Sequence, residues 1–446
     1  MDVEGGGVQS PFNDYLASIT ESFPRVSRKR VIESSISSRR KLDVLPVNLE
    51  GDNGVRDSYI EFRIPGVDGQ LLDLSTLSID MKITLSKEDG TTLTDVDHVV
   101  LTNGLSNTFF KSCTCYLNEQ MVESNALYNY HSFIKMVTTI SPDRIATLGR
   151  SLYYFKDYNG SKGIIDTYTD EYFTGGNKLE KEIIKRCKQY GVSLTGPLLL
   201  DLASLDAYLL DGTDVRIRLE MANKAWVMNT HLDGQNYKIK IDSVRLLIDR
   251  VIPHASAIAS MNNSLLTAPM QYTYNRTLYK TYILGSNQTN LLVELPFSQI
   301  IPQNLYMAIV DMNSMNGAYD RNGLYFQHAD LSNTHITING STVYNIHSDF
   351  PNHTSSLYYA TLETLGLEND HTLAYDGFVK GRTICAFNFI PEDIENGIPL
   401  EKSGNMRISL TFKEGVNANR VIIFFANTTG VIEIDAHRHV RCIVRA

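Results

Sequence analysis

Tyr59-Ile60-Glu61-Phe62-Arg63-Ile64-Pro65 alternates apolar and polar residues and stops at a proline, and Leu291-Leu292-Val293-Glu294-Leu295-Pro296 ends the same way. A period of two sends successive side chains to opposite faces, which marks a strand with one buried side. Working outward, each stretch is followed by a second strand pattern, Leu77-Ser78-Ile79-Asp80-Met81-Lys82-Ile83 in one half and Leu305-Tyr306-Met307-Ala308-Ile309-Val310 in the other. A hairpin pattern comes next, Tyr116-Leu117-Asn118-Glu119-Gln120-Met121-Val122 and Thr337-Ile338-Asn339-Gly340-Ser341-Thr342-Val343. Asn339-Gly340 is the stronger turn signal, because both central positions of a type I′ turn need positive φ. A short helical pattern follows in each half. Val215-Arg216-Ile217-Arg218-Leu219 and Met406-Arg407-Ile408-Ser409-Leu410 stand near the two ends. The shared order reads as two tandem copies of one β domain, divided near residue 250.

The chain has 446 residues, enough for two large domains with separate cores. Hydrophobic residues make up 43% and charged residues 20%, the balance of a folded globular protein. Aromatic content is 24 Tyr and 17 Phe against 1 Trp, which suits half-buried sheet surfaces and wet interfaces. A net charge of -9 argues against a dedicated nucleic-acid-binding domain but leaves room for a local basic segment. Five cysteines in this length do not make a disulfide framework, and a reducing compartment is the expectation. Cys113 and Cys115 share one strand face at a spacing unlike that of zinc ligand pairs, so they read as packing residues. The first residues lack the apolar segment of a secretory leader, and no window is long enough to cross a bilayer.

Residues 1–45 read as a flexible basic arm carrying Arg25, Arg28, Lys29, Arg30, Arg39, Arg40 and Lys41, with too few apolar residues to join a core. A first β domain is expected over 46–251, with an insertion near 150–195 rich in Tyr, Gly, Asp and Lys. A linker over 252–277 contains Pro253, a small-residue helix near Ala255–Leu266, and Pro269; a second β domain fills 278–446. Leu127, Tyr130, Phe133, Ile134 and Val137 recur at helical spacing, with Ser141-Pro142 as a stop. Leu357, Tyr358, Thr361, Leu362 and Leu365 do the same in the second half. Strands are also expected at 198–202, 420–427 and 431–435. With about eight strands per half and the helices in connections, the class is all-β: two tandem eight-stranded antiparallel jelly rolls, each of two packed sheets. Ile60, Phe62, Ile79, Met81, Ile217 and Leu219 are expected in the first core, and Ile408, Leu410, Ile422 and Phe424 in the second.

Catalytic signatures are missing. There is no GxSxG elbow, Walker loop or zincin helix. Asp311-Met312-Asn313-Ser314-Met315-Asn316-Gly317 has the opening of a calcium loop but carries Met at its fifth position and no glutamate at the twelfth. His437-Arg438-His439 puts two imidazoles on what reads as a solvated terminal strand. No catalytic, cofactor or metal residue is assigned.

Phe62-Arg63-Ile64-Pro65-Gly66, Leu72-Asp73-Leu74-Ser75, Cys115-Tyr116-Leu117-Asn118, Asn316-Gly317-Ala318-Tyr319-Asp320, Tyr325-Phe326-Gln327-His328 and Val431-Ile432-Glu433-Ile434-Asp435 carry a resemblance. Over roughly residues 55–446 the chain resembles the double jelly-roll major capsid proteins of icosahedral double-stranded DNA viruses, in the lineage of the Maverick/Polinton (adintovirus-like) elements and virophages. The resemblance implies a non-enzymatic subunit that forms homotrimers, pseudo-hexagonal tiles with six rolls, and contacts neighbouring capsomers and a penton or minor capsid protein. It implies residence in the virion shell after assembly in the host nucleus or cytoplasm. It also implies an arm on the inner side of the shell, whose basic residues fit proximity to packaged double-stranded DNA or to an internal partner; deletion of residues 1–45 is expected to leave the trimer intact but to alter assembly or interior contacts. The alternatives are a minor capsid or penton component, which usually has one roll, and a glycan-binding β-sandwich, for which a single Trp226 is a poor platform.

Overall fold

A computed structural model describes residues 35–48, 58–94, 99–155, 190–230, 237–294, 296–366, 372–389, 402–416 and 418–443. The first half contributes β1 (Ile36–Val44), β2 (Tyr59–Ile64), β3 (Leu71–Lys87), β4 (Val99–Leu101), β5 (Phe110–Leu117), β6 (Gln120–Asn125), β7 (Val192–Pro197), β8 (Val215–Met221), β9 (Met228–Thr230) and β10 (Tyr237–Pro253). The second contributes β11 (Met270–Leu284), β12 (Asn290–Glu294), β13 (Ile300–Ile301), β14 (Asn304–Asp311), β15 (Leu331–Ile338), β16 (Ser341–His347), β17 (Ile384–Asn388), β18 (Lys402–Ser403), β19 (Met406–Phe412), β20 (Arg420–Ile434) and β21 (Val440–Ile443).

Two four-stranded sheets form the first roll, in the orders β1-β10-β3-β7 and β2-β8-β5-β6. The second roll repeats them as β11-β20-β14-β17, extended by β21 on β20, and β12-β19-β15-β16. Among the described residues the strands of these sheets pair antiparallel, and in each sheet a strand from the start of the half lies beside one from its end, which is the jelly-roll topology. The repeats quoted from the sequence occupy matching places: β2 and β12, β3 and β14, the β5–β6 and β15–β16 hairpins, β8 and β19. In both halves the connection after that hairpin is helical, Tyr128–Thr139 and Pro142–Leu152 in the first, Ser355–Leu365 and Tyr375–Lys380 in the second. The core positions expected in both rolls are all buried, because alternation turns them between the two sheets.

Several expectations are corrected. Residues 36–44 are not part of a flexible arm: they form β1, the edge strand paired with β10 from Ile36↔Pro253 to Val44↔Leu246. Ser37 to Lys41 are exposed on this edge strand and need no alternation to be ordered by the ladder, while Leu42 and Val44 beyond them pack against the core. The linker is shorter than 252–277, since β10 runs to Pro253, the helix spans Ala255–Thr267 and β11 begins at Met270. The 150–195 insertion overlaps a helix at its start and β7 at its end, and its residues 156–189 lie outside the described residues. The strand expected at 198–202 is absent; the ladder partner of β3 is Val192–Pro197. The two strands expected at 420–427 and 431–435 are one, β20, which spans Arg420–Ile434 without a break. Pro142 closes one helix and opens the next, whose first turn needs no amide donor there.

Candidate functional site: the seam between the rolls

The two rolls are packed against each other, and one hydrophobic cluster runs through both. Strand β6, the edge of its sheet, meets β11, the edge of another. The Tyr274 hydroxyl donates to the Val122 carbonyl at 3.2 Å, and the Tyr272 hydroxyl donates to the Tyr208 carbonyl at 3.1 Å. Burial raises the Tyr272 hydroxyl to about 12, so both tyrosines act as proton donors at any physiological pH. Beside them, Tyr130 and Phe133 of the helix Tyr128–Thr139 pack on Phe326 of the second roll, with ring centroids 6.3 Å and 6.0 Å apart. The Arg382 guanidinium lies 5.1 Å over the Phe133 ring. Trp226 is buried here, with its indole N–H toward the Tyr130 hydroxyl at 3.3 Å. Gly323 of the second roll comes so close that a Cβ would sit 2.4 Å from the indole nitrogen. Backbone contacts complete this side: Thr230 N–H donates to the Tyr319 carbonyl at 2.7 Å, and Thr372 N–H to the Val137 carbonyl at 3.1 Å.

A buried polar chain crosses the seam. Asn125 meets His131 Nδ1 at 3.1 Å, His131 Nε2 meets the Thr277 hydroxyl at 3.3 Å, and that hydroxyl donates to Asp201 Oδ1 at 2.9 Å. The Thr277 amide donates to Asp201 Oδ2 at 2.7 Å. These directions are all satisfied by a neutral imidazole protonated on Nε2. Burial holds His131 neutral by lowering it to about 4, with Asp201 opposing and Lys135 adding to the shift. Glu123 stands behind Asp201 and accepts the Asp201 and Leu202 amides at 3.0 Å and 3.1 Å. Burial first, then the Asp201 charge, raises its carboxyl to about 8. Beside this group opens a cleft of about 600 Å³, lined by residues that include Glu123, Asp201, Tyr274, Arg276 and Lys280.

A charged clasp closes another part of the seam. Arg438, in the turn between β20 and β21, donates to Asp211 Oδ1 at 2.5 Å and to the Asp211 carbonyl at 2.7 Å. Asn118, in the β5–β6 turn, donates to the Arg438 carbonyl at 2.7 Å. Sequence reasoning did not single out any of Glu123, Asp201, Asp211 or Thr277. Each is an ordinary polar residue in the linear chain, and only the tertiary fold gives it a partner.

Of the basic residues singled out in the sequence, Arg25, Arg28, Lys29 and Arg30 lie outside the described residues. Arg39, Arg40 and Lys41 are on β1. Arg39 is tied to the Asp73 carboxylate at 3.2 Å and to the Tyr208 hydroxyl, while Arg40 and Lys41 are exposed. Asp311 caps the helix Met312–Asn316 by accepting the Asn313 and Ser314 amides, and pairs with Arg420 and Arg321 at 2.5 Å and 3.1 Å. His437 and His439 sit in a turn, not on a strand, because Asp435 accepts both of their amides and Arg438 adopts a φ of 64°. Cys113, Cys115 and Cys385 are buried free thiols, each raised by its surroundings. Among the described residues no group of His, Cys, Asp and Glu is arranged to hold a metal ion, and no helix is long and apolar enough to cross a membrane.

No protein-family model matches the chain. A Caenorhabditis elegans protein described as uncharacterized is 20% identical over 329 residues, covering 70% of this chain and 74% of its own. The architecture is similar to a subunit of the Sputnik virophage, with a TM-score of 0.58, 12% identity, and coverage of 99% of this chain and 93% of that one. It is also similar to the mavirus major capsid protein, with a TM-score of 0.52, 11% identity, and coverage of 100% and 96%. The Faustovirus major capsid protein gives a TM-score of 0.53 at 9% identity, with coverage of 94% and 97%. These likenesses extend over both rolls and identify the fold as a double jelly roll.

Proposed function

We propose that this chain is a non-enzymatic major capsid protein, the repeating subunit of an icosahedral shell around double-stranded DNA. The observation that carries the reading is the pair of complete jelly rolls fused in one chain and locked by a buried seam, in an arrangement that mavirus and Faustovirus major capsid proteins share over nearly their whole length. A rigid two-roll unit suits a tile: three copies present six rolls and fill a six-coordinated lattice position while keeping three-fold symmetry. The trimer, its contacts with neighbouring capsomers and a penton, and a place in the Maverick/Polinton lineage belong to this proposal, as does residence in the virion shell. The segment with Arg25, Arg28, Lys29 and Arg30 faces the packaged DNA in this reading, where cations displace counterions from phosphates.

Trp226 counts against the glycan-binding alternative. The one indole of the chain is buried in the seam, where no sugar ring can stack on it. The second full roll counts against a single-roll penton. Light scattering and electron microscopy of the purified chain test the proposal. Trimers that assemble into shells or flat hexagonal arrays are expected; a monomer under every ionic condition tried would remove it.

A further inference from the structure

The cleft of about 600 Å³ at the seam is bounded by β6, β11, β21 and the turn at Phe297 and Ser298, so both rolls build it. Four charged residues line it, and they divide by burial. Glu123 and Asp201 are buried, and their carboxylates are already engaged. Glu123 accepts the Asp201 and Leu202 amides, and Asp201 accepts the amide and the hydroxyl of Thr277. Arg276 is half-buried and Lys280 exposed, and neither side chain has an ion-pair partner among the described residues. Strand alternation sets both cations on one side of β11, with Leu278 between them. Apolar surface adjoins them: Met121 is 50% exposed, and Leu278, Ile300 and Ile443 are half-buried. Apolar walls with two unpaired cations fit an amphipathic segment whose polar side carries acids.

The chain itself supplies such a segment. Residues 1–34 lie outside the described residues, and their sequence divides in two. Residues 1–24 carry Asp2, Glu4, Asp14 and Glu21 and no lysine or arginine, and Arg25, Arg28, Lys29 and Arg30 follow. Within the acidic part Phe12, Tyr15, Leu16, Ile19 and Phe23 recur at intervals of three and four, the spacing of one helical face. Pro11 opens the run and Pro24 closes it. Five such residues are too few for a core but enough for one face in a groove. The fold also delivers the segment to the right place. The Ser35 carbonyl accepts the His254 amide at 2.9 Å, beside the start of the helix Ala255–Thr267, which leads into β11. From Ser35 along that helix and up β11 to Arg276 the path is about 50 Å, and any bend shortens it. The 14 residues from Ser35 back to Glu21 span up to about 46–50 Å when extended.

We infer that residues 12–23 occupy the seam cleft of their own chain, with their apolar face against Met121, Ile300 and Ile443 and the Asp14 and Glu21 carboxylates toward Arg276 and Lys280. The basic stretch from Arg25 to Arg30 is then a loop held at both ends, which limits how far its cations reach. The contact is a property of the single chain and does not depend on the shell function.

Cys442 reports on the cleft, because its thiol lines it and is exposed, whereas Cys113, Cys115 and Cys385 are buried. In a Cys187→Ser chain, the rate at which Cys442 reacts with a maleimide should rise about tenfold when residues 1–24 are removed. The deletion leaves every strand ladder in place, so the melting temperature should hold. Arg276→Glu with Lys280→Glu should raise the rate as much. Adding Asp14→Arg and Glu21→Arg to that pair should restore the slow rate, which a merely structural effect of the pair would not allow. In a Cys187→Ser, Cys442→Ser chain, Ser18→Cys with Met121→Cys is treated with a short bis-maleimide, and a bridge within one chain is expected. Bridges that join two chains would give the cleft to the segment of a second copy and overturn the assignment. Equal Cys442 rates with and without residues 1–24 would overturn it as well. Neither outcome touches the shell function, which electron microscopy scores separately.

Discussion

Thr277 gives its amide and its hydroxyl proton to Asp201, and through that residue the first roll holds the second. Glu123, immediately behind, is raised from an ordinary value of 4.5 to about 8. A carboxyl raised on folding binds its proton more tightly in the native state. Its contribution to stability is complete below about pH 4.5 and is lost as the pH climbs through about 8. His131 acts in the opposite sense: lowered from 6.5 to about 4, it contributes above pH 6.5 and its contribution is lost as the pH falls toward 4. Between those limits the two slopes oppose each other, and from about pH 6.5 to 8 the Glu123 slope stands alone. Glu123→Gln keeps the shape without the titration. The variant is expected to sacrifice about 1–2 kcal/mol at low pH through the mismatched amide, and to show no fall in stability between pH 6.5 and 8. Urea titrations across that range check this, and a fall equal to that of the wild type would refute the role given to Glu123.

At the scale of the element, β1 decides where the first roll begins. It carries Arg39, Arg40 and Lys41 but is laddered to β10 along its length, so cutting the chain after residue 34 and cutting it after residue 45 are different experiments. The shorter deletion should leave the melting temperature unchanged and, on the proposed function, weaken a salt-sensitive affinity for double-stranded DNA. The longer one, against the expectation that an arm ending at residue 45 is dispensable, strips the edge of a sheet. At about 0.5–1.5 kcal/mol net for each backbone hydrogen bond, it should cost several kcal/mol and expose β10 to aggregation. Calorimetry of the two truncated chains decides it; equal melting temperatures would show that β1 contributes nothing.

The same strand shows why part of the fold was legible in the sequence and part was not. β2, β3, β8, β12 and β19 bury one face, so their alternation announces them. β1 turns only Leu42 and Val44 toward the core, and the preceding Ser38-Arg39-Arg40-Lys41 looks like a tail. β7 does alternate, with Val192 and Leu194 buried, but it follows a long polar stretch that hides its start. The seam was opaque for a further reason. Asp201 and Thr277 are 76 residues apart, and no local pattern records a partner at that distance.

For the whole molecule, the continuous apolar cluster means that neither roll has a finished surface without the other. Tyr130, Phe133 and Trp226 of the first roll and Tyr274 and Phe326 of the second are buried where the rolls meet, and withdrawing a large apolar side chain from water contributes about 1.5–3 kcal/mol. The chain is expected to melt in one calorimetric transition despite its two domains, and residues 35–253 expressed alone should aggregate or bind a hydrophobic dye. Two resolved transitions, or a well-behaved isolated first roll, would contradict the coupling.

The Arg438 clasp places a clock on synthesis. Asp211 and Arg438 are separated by 227 residues, and until the second of them leaves the ribosome the buried Asp211 carboxylate has, among the described residues, the Gly69 amide and no cation. At roughly 5–20 residues per second, translation leaves the first roll waiting for about 10 to 45 s. For that interval the seam-facing aromatics of the nascent roll are open to any chaperone or sister chain nearby. Codon changes that slow the ribosome between residues 211 and 438 should therefore lower the yield of soluble subunit without altering a single amino acid.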